Sequence, residues 1–241
     1  MDESLVLAIR EGYKEALDQI AEAASRSGRD PGRVRLVVVT KSQPLEIVRA
    51  AITAGACLFG ENYAEEAVEK ITALQTPAVE WHMIGHVQSR KAGLVAANFS
   101  VLHSLDNLKL AGRLEHFCSE LGRTLPILLE FNVSGEGSKY GFAAWEERAW
   151  PALLPALEPL LEFPHLRVRG LMTMPPYFDD PERTRPYFRR LRHLREFLAA
   201  CLPQADWSEL SMGTSTDFVA AVEEGATFVR VGQAILGPRP G

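Results

Sequence analysis

Long apolar runs are missing from this chain of 241 residues. Uninterrupted apolar stretches are short, such as Leu36 to Val39, far below the roughly 20 consecutive apolar residues that a membrane-spanning helix requires. No membrane partner is expected. Cysteine is also scarce, with three in all. Cys57, Cys118 and Cys201 stand far apart in apolar surroundings and cannot all pair, which predicts reduced core thiols in a reducing compartment. Metal-ligand spacing is lacking too, because His82 and His86 fall on an apparent strand and turn with no Cys or carboxylate placed to complete a site. Met1-Asp2-Glu3-Ser4 has no basic stretch and no small-residue cleavage site, so the cytoplasm is the expected location. Positive charge is not concentrated anywhere. Lys and Arg number 26 against 31 Asp and Glu, a net of −5, and nothing collects the basic surface that a nucleic acid demands.

Apolar side chains are plentiful, at 46% of the total, enough to bury a sizeable core. From Leu5 through Ile9, Tyr13, Leu17, Ile20 and Ala24 they recur every three or four positions until Gly28. That spacing predicts an amphipathic helix stopped by a C-terminal glycine. Arg35 to Thr40 then forms a β-branched run that is apolar at consecutive positions, as in a parallel sheet covered on both faces. Comparable runs follow at Cys57 to Phe59, Trp81 to Ile84, Phe99 to Leu102, Pro126 to Val133, Leu166 to Met172, Trp207 to Met212 and Thr227 to Val231. Segments of helical periodicity, such as Leu45, Val48 and Ile52 or Phe188, Leu191, Leu194 and Leu198, separate most of them. Alternation implies parallel strands. With no Pro/Gly/Ser-rich linker, the expected architecture is α/β: one domain over 1–241, made of an N-terminal helix over 1–28 and a (β/α)8 TIM-type barrel over 35–241. An open doubly wound sheet is the alternative. Repetition is echoed in Ala50-Ala51-Ile52-x-x-Gly55-Ala56 and Ala220-Ala221-Val222-x-x-Gly225-Ala226, each read as a helix ending at glycine before a strand.

Functional groups of such a barrel sit at the C-terminal strand ends, here Lys41, Glu61-Asn62, Gly85-His86, His103-Ser104, Asn132, Thr173, Ser211 and Arg230. Lys41 follows directly on Leu36 to Thr40, where desolvation favours a neutral, nucleophilic amine; the competing reading is a lysine that snorkels into solvent. Only six lysines exist against 20 arginines, and the other five fall on helices or loops. Trp207 to Asp217 passes from strand to a hydroxyl-rich loop and then to a helix from Phe218, offering N–H groups and hydroxyls to an anion, unless Ser215 or Thr216 merely caps that helix. Arg230-Val231-Gly232-Gln233 closes the eighth strand with a fixed cation beside a backbone that a ligand can approach closely. An amine for an aldehyde, an anchor for a phosphate and a partner for a ring nitrogen are together what pyridoxal 5′-phosphate (PLP) requires.

The same residues carry a resemblance. Val38-Val39-Thr40-Lys41-Ser42-Gln43-Pro44, Phe59-Gly60-Glu61-Asn62-Tyr63, Trp81-His82-Met83-Ile84-Gly85-His86-Val87-Gln88, Gly170-Leu171-Met172-Thr173-Met174, Leu210-Ser211-Met212-Gly213-Thr214-Ser215 and Val229-Arg230-Val231-Gly232 resemble, in order, the pyridoxal-phosphate homeostasis proteins. That family is similar in fold to the barrel domain of alanine racemase. The resemblance implies that Lys41 carries PLP as an aldimine and that Arg230 faces the pyridine nitrogen. It also implies that Ser211, Gly213, Thr214 and Ser215 hold the phosphate with Gly232 and Gln233, while Asn62 and Met172 line the ring. Two departures stand out: Thr40-Lys41-Ser42-Gln43-Pro44 replaces the usual Ser-Lys-Thr-Lys-Pro, and Gln88-Ser89-Arg90-Lys91 replaces Gln-Ser/Thr-Asn-Lys.

A guanidinium stays protonated and donates to the ring nitrogen, so the pyridine remains unprotonated and a weak electron sink. The chain also ends soon after the eighth strand, leaving no room for the second domain that supplies a catalytic tyrosine in alanine racemase. The expectation is therefore a monomeric, non-catalytic PLP carrier serving PLP-dependent apo-enzymes, with no catalytic residue and no metal. A small amino-acid racemase using Lys41 and a second base such as His86 or Tyr63 is one alternative. A Schiff-base aldolase with a sugar-phosphate cup is another.

Overall fold

The computed structural model describes residues 2–238. Nine strands form in chain order: β1 (Arg35–Val39), β2 (Leu58–Glu61), β3 (Glu80–Met83), β4 (Val101–Leu105), β5 (Leu125–Asn132), β6 (Phe142–Ala143), β7 (Leu166–Met172), β8 (Glu209–Ser211) and β9 (Phe228–Val231). Every pairing is parallel. β1 pairs with both β2 and β9, and β4 pairs with β5, so β1-β2-β3-β4-β5-β7-β8-β9 closes into a ring of eight, with the two-residue β6 on the margin of β5. The alternation of strand and helix thus closes as a (β/α)8 barrel, and the open sheet is ruled out by the β4–β5 and β1–β9 pairings.

Helices α1 (Glu3–Arg26), α2 (Leu45–Thr53), α3 (Ala64–Leu74), α4 (Ala92–Asn98), α5 (Leu108–Glu120), α6 (Leu154–Leu161), α7 (Arg185–Cys201), α8 (Phe218–Glu223) and α9 (Gln233–Leu236) accompany the strands. The strands are buried on both faces, so their apolar runs are continuous rather than alternating. One face meets the helices. The other fills the barrel, where Val37, Leu128, Met172 and Phe228 pack together from β1, β5, β7 and β9. Helix α1 begins where the Asp2 carboxylate accepts the Ser4 N–H at 2.9 Å and ends before Gly28, whose φ of +70° is the left-handed cap expected of glycine. It packs on α2, α8 and α9, covering the seam where the first and last strands meet.

The repeated Ala-Ala-apolar-x-x-Gly-Ala segment is a repeat in space as well. Gly55 and Gly225 turn the chain at φ +108° and +111°, and Ala56 and Ala226 donate back to Ala51 and Ala221 in the same cap. Strand boundaries shift where a side chain or cap intervenes. Phe99 closes α4, donating its N–H to Val95, so β4 starts later and reaches Leu105; the Trp207 indole donates to the Leu202 carbonyl at 2.8 Å, holding it to the preceding turn and out of β8. The cysteine reading needs correction. All three are free, but only Cys118 on α5 is buried. Cys57 lies in the turn leading into β2 and Cys201 ends α7, and both are exposed because helix–strand turns and helix ends stand at the outer surface. No described helix is long and apolar enough to cross a membrane, and no cluster of potential metal ligands occurs among the described residues.

Candidate functional site

A cavity of about 880 Å³ opens at the C-terminal mouth of the barrel. Lys41, Asn62, Met172, Thr214, Ser215, Arg230, Gly232 and Gln233 all line it. Ser211 and Gly213 do not. Ser211 is buried at the end of β8, and its hydroxyl accepts from Arg230 Nη1 at 2.6 Å and meets His103 Nδ1 at 2.8 Å, so it holds the arginine rather than facing the cavity. Gly213 turns the chain at φ +92°, and a Cβ there would stand 2.6 Å from the Ala221 Cβ. Its place is where loop and α8 pack, and its carbonyl accepts the Arg230 N–H at 3.0 Å.

Arg230 is 4% exposed. Nη2 donates to the Thr173 carbonyl at 2.9 Å and meets Met174 Sδ at 2.8 Å. A guanidinium has five N–H donors, and these two contacts plus the one to Ser211 leave 5 − 3 = 2, on Nη1 and Nε, for a ligand. Burial pulls Arg230 down to about 10 against the opposing pull of Asp217 and Glu130, so it is a cation at neutral pH.

Behind Arg230 a polar chain crosses the barrel interior. His103 Nε2 lies 2.9 Å from His82 Nδ1, and His82 Nε2 points toward Glu80 at 3.5 Å. Arg230 only donates, so the arrangement that fits these contacts has Ser211 Oγ–H donating to His103 Nδ1 and both histidines protonated on Nε2, with the buried His82 Nε2–H left without a hydrogen-bond partner among the described residues. Burial lowers the pKa of both imidazoles, keeping them neutral. Arg230 is thereby fixed by a chain of neutral donors and acceptors anchored in three other strands.

Lys41 stands in a constrained turn. Ser42 adopts φ +58°, unusual for a residue with a Cβ, and its N–H donates to Glu66 at 2.7 Å. The Thr40 carbonyl accepts from Gln43 N at 3.0 Å and from the buried Lys70 ammonium at 2.7 Å. Lys70 also reaches Glu61 at 2.8 Å and Glu66 at 2.6 Å, so strand end and helix α3 together set the backbone from which Lys41 projects. Glu61 Oε2 has no partner, and burial raises the Glu61 pKa despite Lys70.

The hydroxyl-rich loop differs in detail from a bare helix N-terminus. Asp217 precedes α8, but its carboxylate bonds no helix N–H; it turns back to the loop, accepting from Thr214 N at 2.6 Å and Thr214 Oγ1 at 2.9 Å, while Phe218 N–H donates to the Thr214 carbonyl. The N–H groups left without a partner among the described residues along this wall are those of Ser215, Thr216 and Gln233; the Gly232 N–H reaches Ser215 Oγ at 3.2 Å. The mouth carries His86, stacked on Tyr140 at 3.9 Å between ring centres and paired to Asp106 at 3.0 Å. Arg90 and Lys91, where the sequence departs from the resemblance, also line it, with Arg90 bonded to Gln88 and Lys91 ion-paired to Glu65.

Sequence reasoning passed over Glu130, a lone carboxyl in the apolar run of β5 that lines the cavity. It singled out Asn132 instead, which organises the following loop by accepting from Ser134 and Gly135. The contact of Lys70 with the Thr40 carbonyl and the His82 and His103 pairing were equally hidden, since each joins elements distant in sequence.

Fold and site together define an alanine racemase-type barrel. The chain matches the family described as alanine racemase, N-terminal domain, over residues 15–240. An alanine racemase from Streptomyces coelicolor superposes with a TM-score of 0.72 at 18% identity, 95% of this chain covering 58% of that one, a likeness of fold alone. Closer relatives are the pyridoxal phosphate homeostasis proteins of Pseudomonas aeruginosa, 41% identical with 96% of both chains covered, and Aquifex aeolicus, 38% identical with 95% of this chain and 97% of that one. PipY of Synechococcus elongatus, solved with PLP bound, superposes with a TM-score of 0.76 at 35% identity, 90% of this chain covering all of it. The chain belongs to the pyridoxal phosphate homeostasis protein family.

Proposed function

We propose that the cavity holds PLP and that the protein acts in PLP homeostasis as a carrier, keeping the cofactor without turning over amino acids. The observation that carries this reading is the convergence of Lys41, Arg230 and the N–H groups of Ser215, Thr216 and Gln233 on one cavity. The Lys41 amine condenses with the aldehyde, water leaving as the imine forms. Arg230 donates to the ring nitrogen, Ser215, Thr216, Gly232 and Gln233 hold the phosphate, and Asn62 and Met172 line the ring. The names of the relatives and PLP in PipY support the ligand. PLP-dependent apo-enzymes are the proposed recipients. The racemase reading is not favoured, because the relatives across nearly the whole chain are named for homeostasis.

Borohydride reduction of the PLP-loaded protein followed by peptide mass spectrometry is expected to place the pyridoxyl group on the peptide containing Lys41. Lys41→Ala should lose that adduct and retain weaker binding through the phosphate wall; an adduct confined to another lysine would sink the assignment. Carrier and enzyme separate on proton exchange at Cα. A ring nitrogen kept unprotonated by Arg230 delocalises a carbanion poorly, so PLP-loaded protein incubated with alanine in heavy water should show almost no deuterium by NMR. Exchange at roughly 1 per second or faster, within the ordinary enzyme range, would overturn the carrier reading.

A further inference from the structure

One deeply buried group in the cavity has no task in the binding mode just described. Glu130 is 7% exposed and lines the cavity beside Met172, its register partner across β5 and β7. No described residue hydrogen-bonds or ion-pairs with its carboxyl. Among the described lining residues, it is the polar side chain that is both more than nine-tenths buried and unpaired. Burying a carboxyl without a partner is unfavourable, so its place in the wall calls for a ligand atom.

Topology indicates which atom. In the closed ring β5 stands four strands from β1 in either direction, directly across the mouth from Lys41, whereas β9 is the neighbour of β1. Given the reading that PLP fills this cavity, C4 turns to Lys41 and the phosphate arm on C5 to the loops after β8 and β9. C3 flanks C4 on the side away from C5, toward the half of the barrel that lies opposite the loops after β8 and β9 and includes β5. Aldehyde, phosphate and ring nitrogen are then each taken, and the polar atom left over on the cofactor is the oxygen on C3. We propose that Glu130 is a specificity residue that recognises this 3-hydroxyl group, the carboxyl and the phenolic oxygen sharing one proton in a hydrogen bond. The inference rests on the PLP reading and adds the substituent by which the cavity selects 3-hydroxypyridines.

The charges facing Glu130 suit a shared proton. Asp106 after β4 disfavours its ionised form, and Arg230 on β9 and Lys139 in the loop after β5 favour it, with Lys41 and His86 on the walls beyond. Burial outweighs the cations and pushes Glu130 up to about 7, so a proton is at hand near neutral pH.

The test uses ligands without an aldehyde, so that imine formation does not enter. Pyridoxine 5′-phosphate and its 3-deoxy analogue are titrated calorimetrically into the wild type, Glu130→Gln and Glu130→Leu, with circular dichroism confirming the fold of each. The wild type should prefer the hydroxylated ligand by about tenfold or more, the size of one hydrogen bond to an ionised group. Glu130→Leu should lose the preference, and Glu130→Gln, whose amide still bonds the oxygen, should keep part of it. Equal affinities in the wild type, no binding of the alcohol form, or a full preference surviving in Glu130→Leu overturns the inference. PLP itself is titrated in parallel. A wild type that binds no PLP overturns the reading of the cavity, while one that binds PLP without discriminating the 3-hydroxyl overturns only the role of Glu130.

Discussion

Pyridoxal, which lacks the phosphate, is expected to bind at least about 100-fold more weakly than PLP. The wall formed by Ser215, Thr216 and Gln233 presents three N–H groups with no partner among the described residues, and hydrogen bonds to an ionised oxygen are worth about 1.5–3 kcal/mol each. Two such bonds, at about 1.4 kcal/mol per tenfold, already reach about 100-fold. The ring is held by contacts common to both ligands, so they cancel. Asp217, a neighbouring carboxylate, opposes an anion less than its position suggests, because its Oδ1 is engaged by Thr214 N and Oγ1. Equilibrium dialysis in a Lys41→Ala background removes the imine from the comparison. Equal affinity for the two ligands would show that the phosphate is not bound at this wall.

That wall also shows what was legible in the sequence. The apolar runs and their spacing located all eight barrel strands, because a parallel strand buried on both faces is continuous in apolar character. Position at a strand end placed Lys41, Asn62, Thr214, Ser215, Arg230, Gly232 and Gln233 on the cavity. Inward or sideways orientation was not legible. Ser211 stands at a strand end like the others, yet the direction of its side chain places it against Arg230 and His103 inside the barrel. Long-range polar pairs escaped for another reason. Lys70 reads as one more helical lysine, and only when α3 packs beside the end of β1 does its ammonium meet the Thr40 carbonyl. Glu130 did carry a signal: a carboxyl inside the run Ile127 to Phe131 has no place in a dry strand unless it faces a site.

Removing that carboxyl should stabilise the cofactor-free protein, and the gain should depend on pH. Burial raises Glu130 from its ordinary 4.5 to about 7, so between those values the folded protein binds a proton that the unfolded chain releases. A raised carboxyl pKa supports the fold fully below 4.5, and that support is lost as pH rises through about 7. At 1.36 kcal/mol per pKa unit, the shift corresponds to about 3 kcal/mol of stability lost between pH 4.5 and pH 8. Glu130→Gln does not titrate. The variant should therefore melt higher than the wild type at pH 8, by roughly 6 to 12 °C for a domain of this size, and the advantage should vanish near pH 4.5. The comparison is a difference between two proteins that share every other carboxylate, so their titrations cancel. Calorimetric melting across that range is the measurement, and a constant offset between the two proteins at all pH values would contradict a titrating Glu130. A saturating ligand with a 3-hydroxyl should shrink the gap at pH 8, because the carboxyl then has a hydrogen-bond partner and the wild type alone recovers stability. The 3-deoxy ligand should leave the gap open. Retaining a group that weakens the empty barrel is what a binding residue requires, since the uncompensated carboxyl becomes favourable only when the cavity is filled.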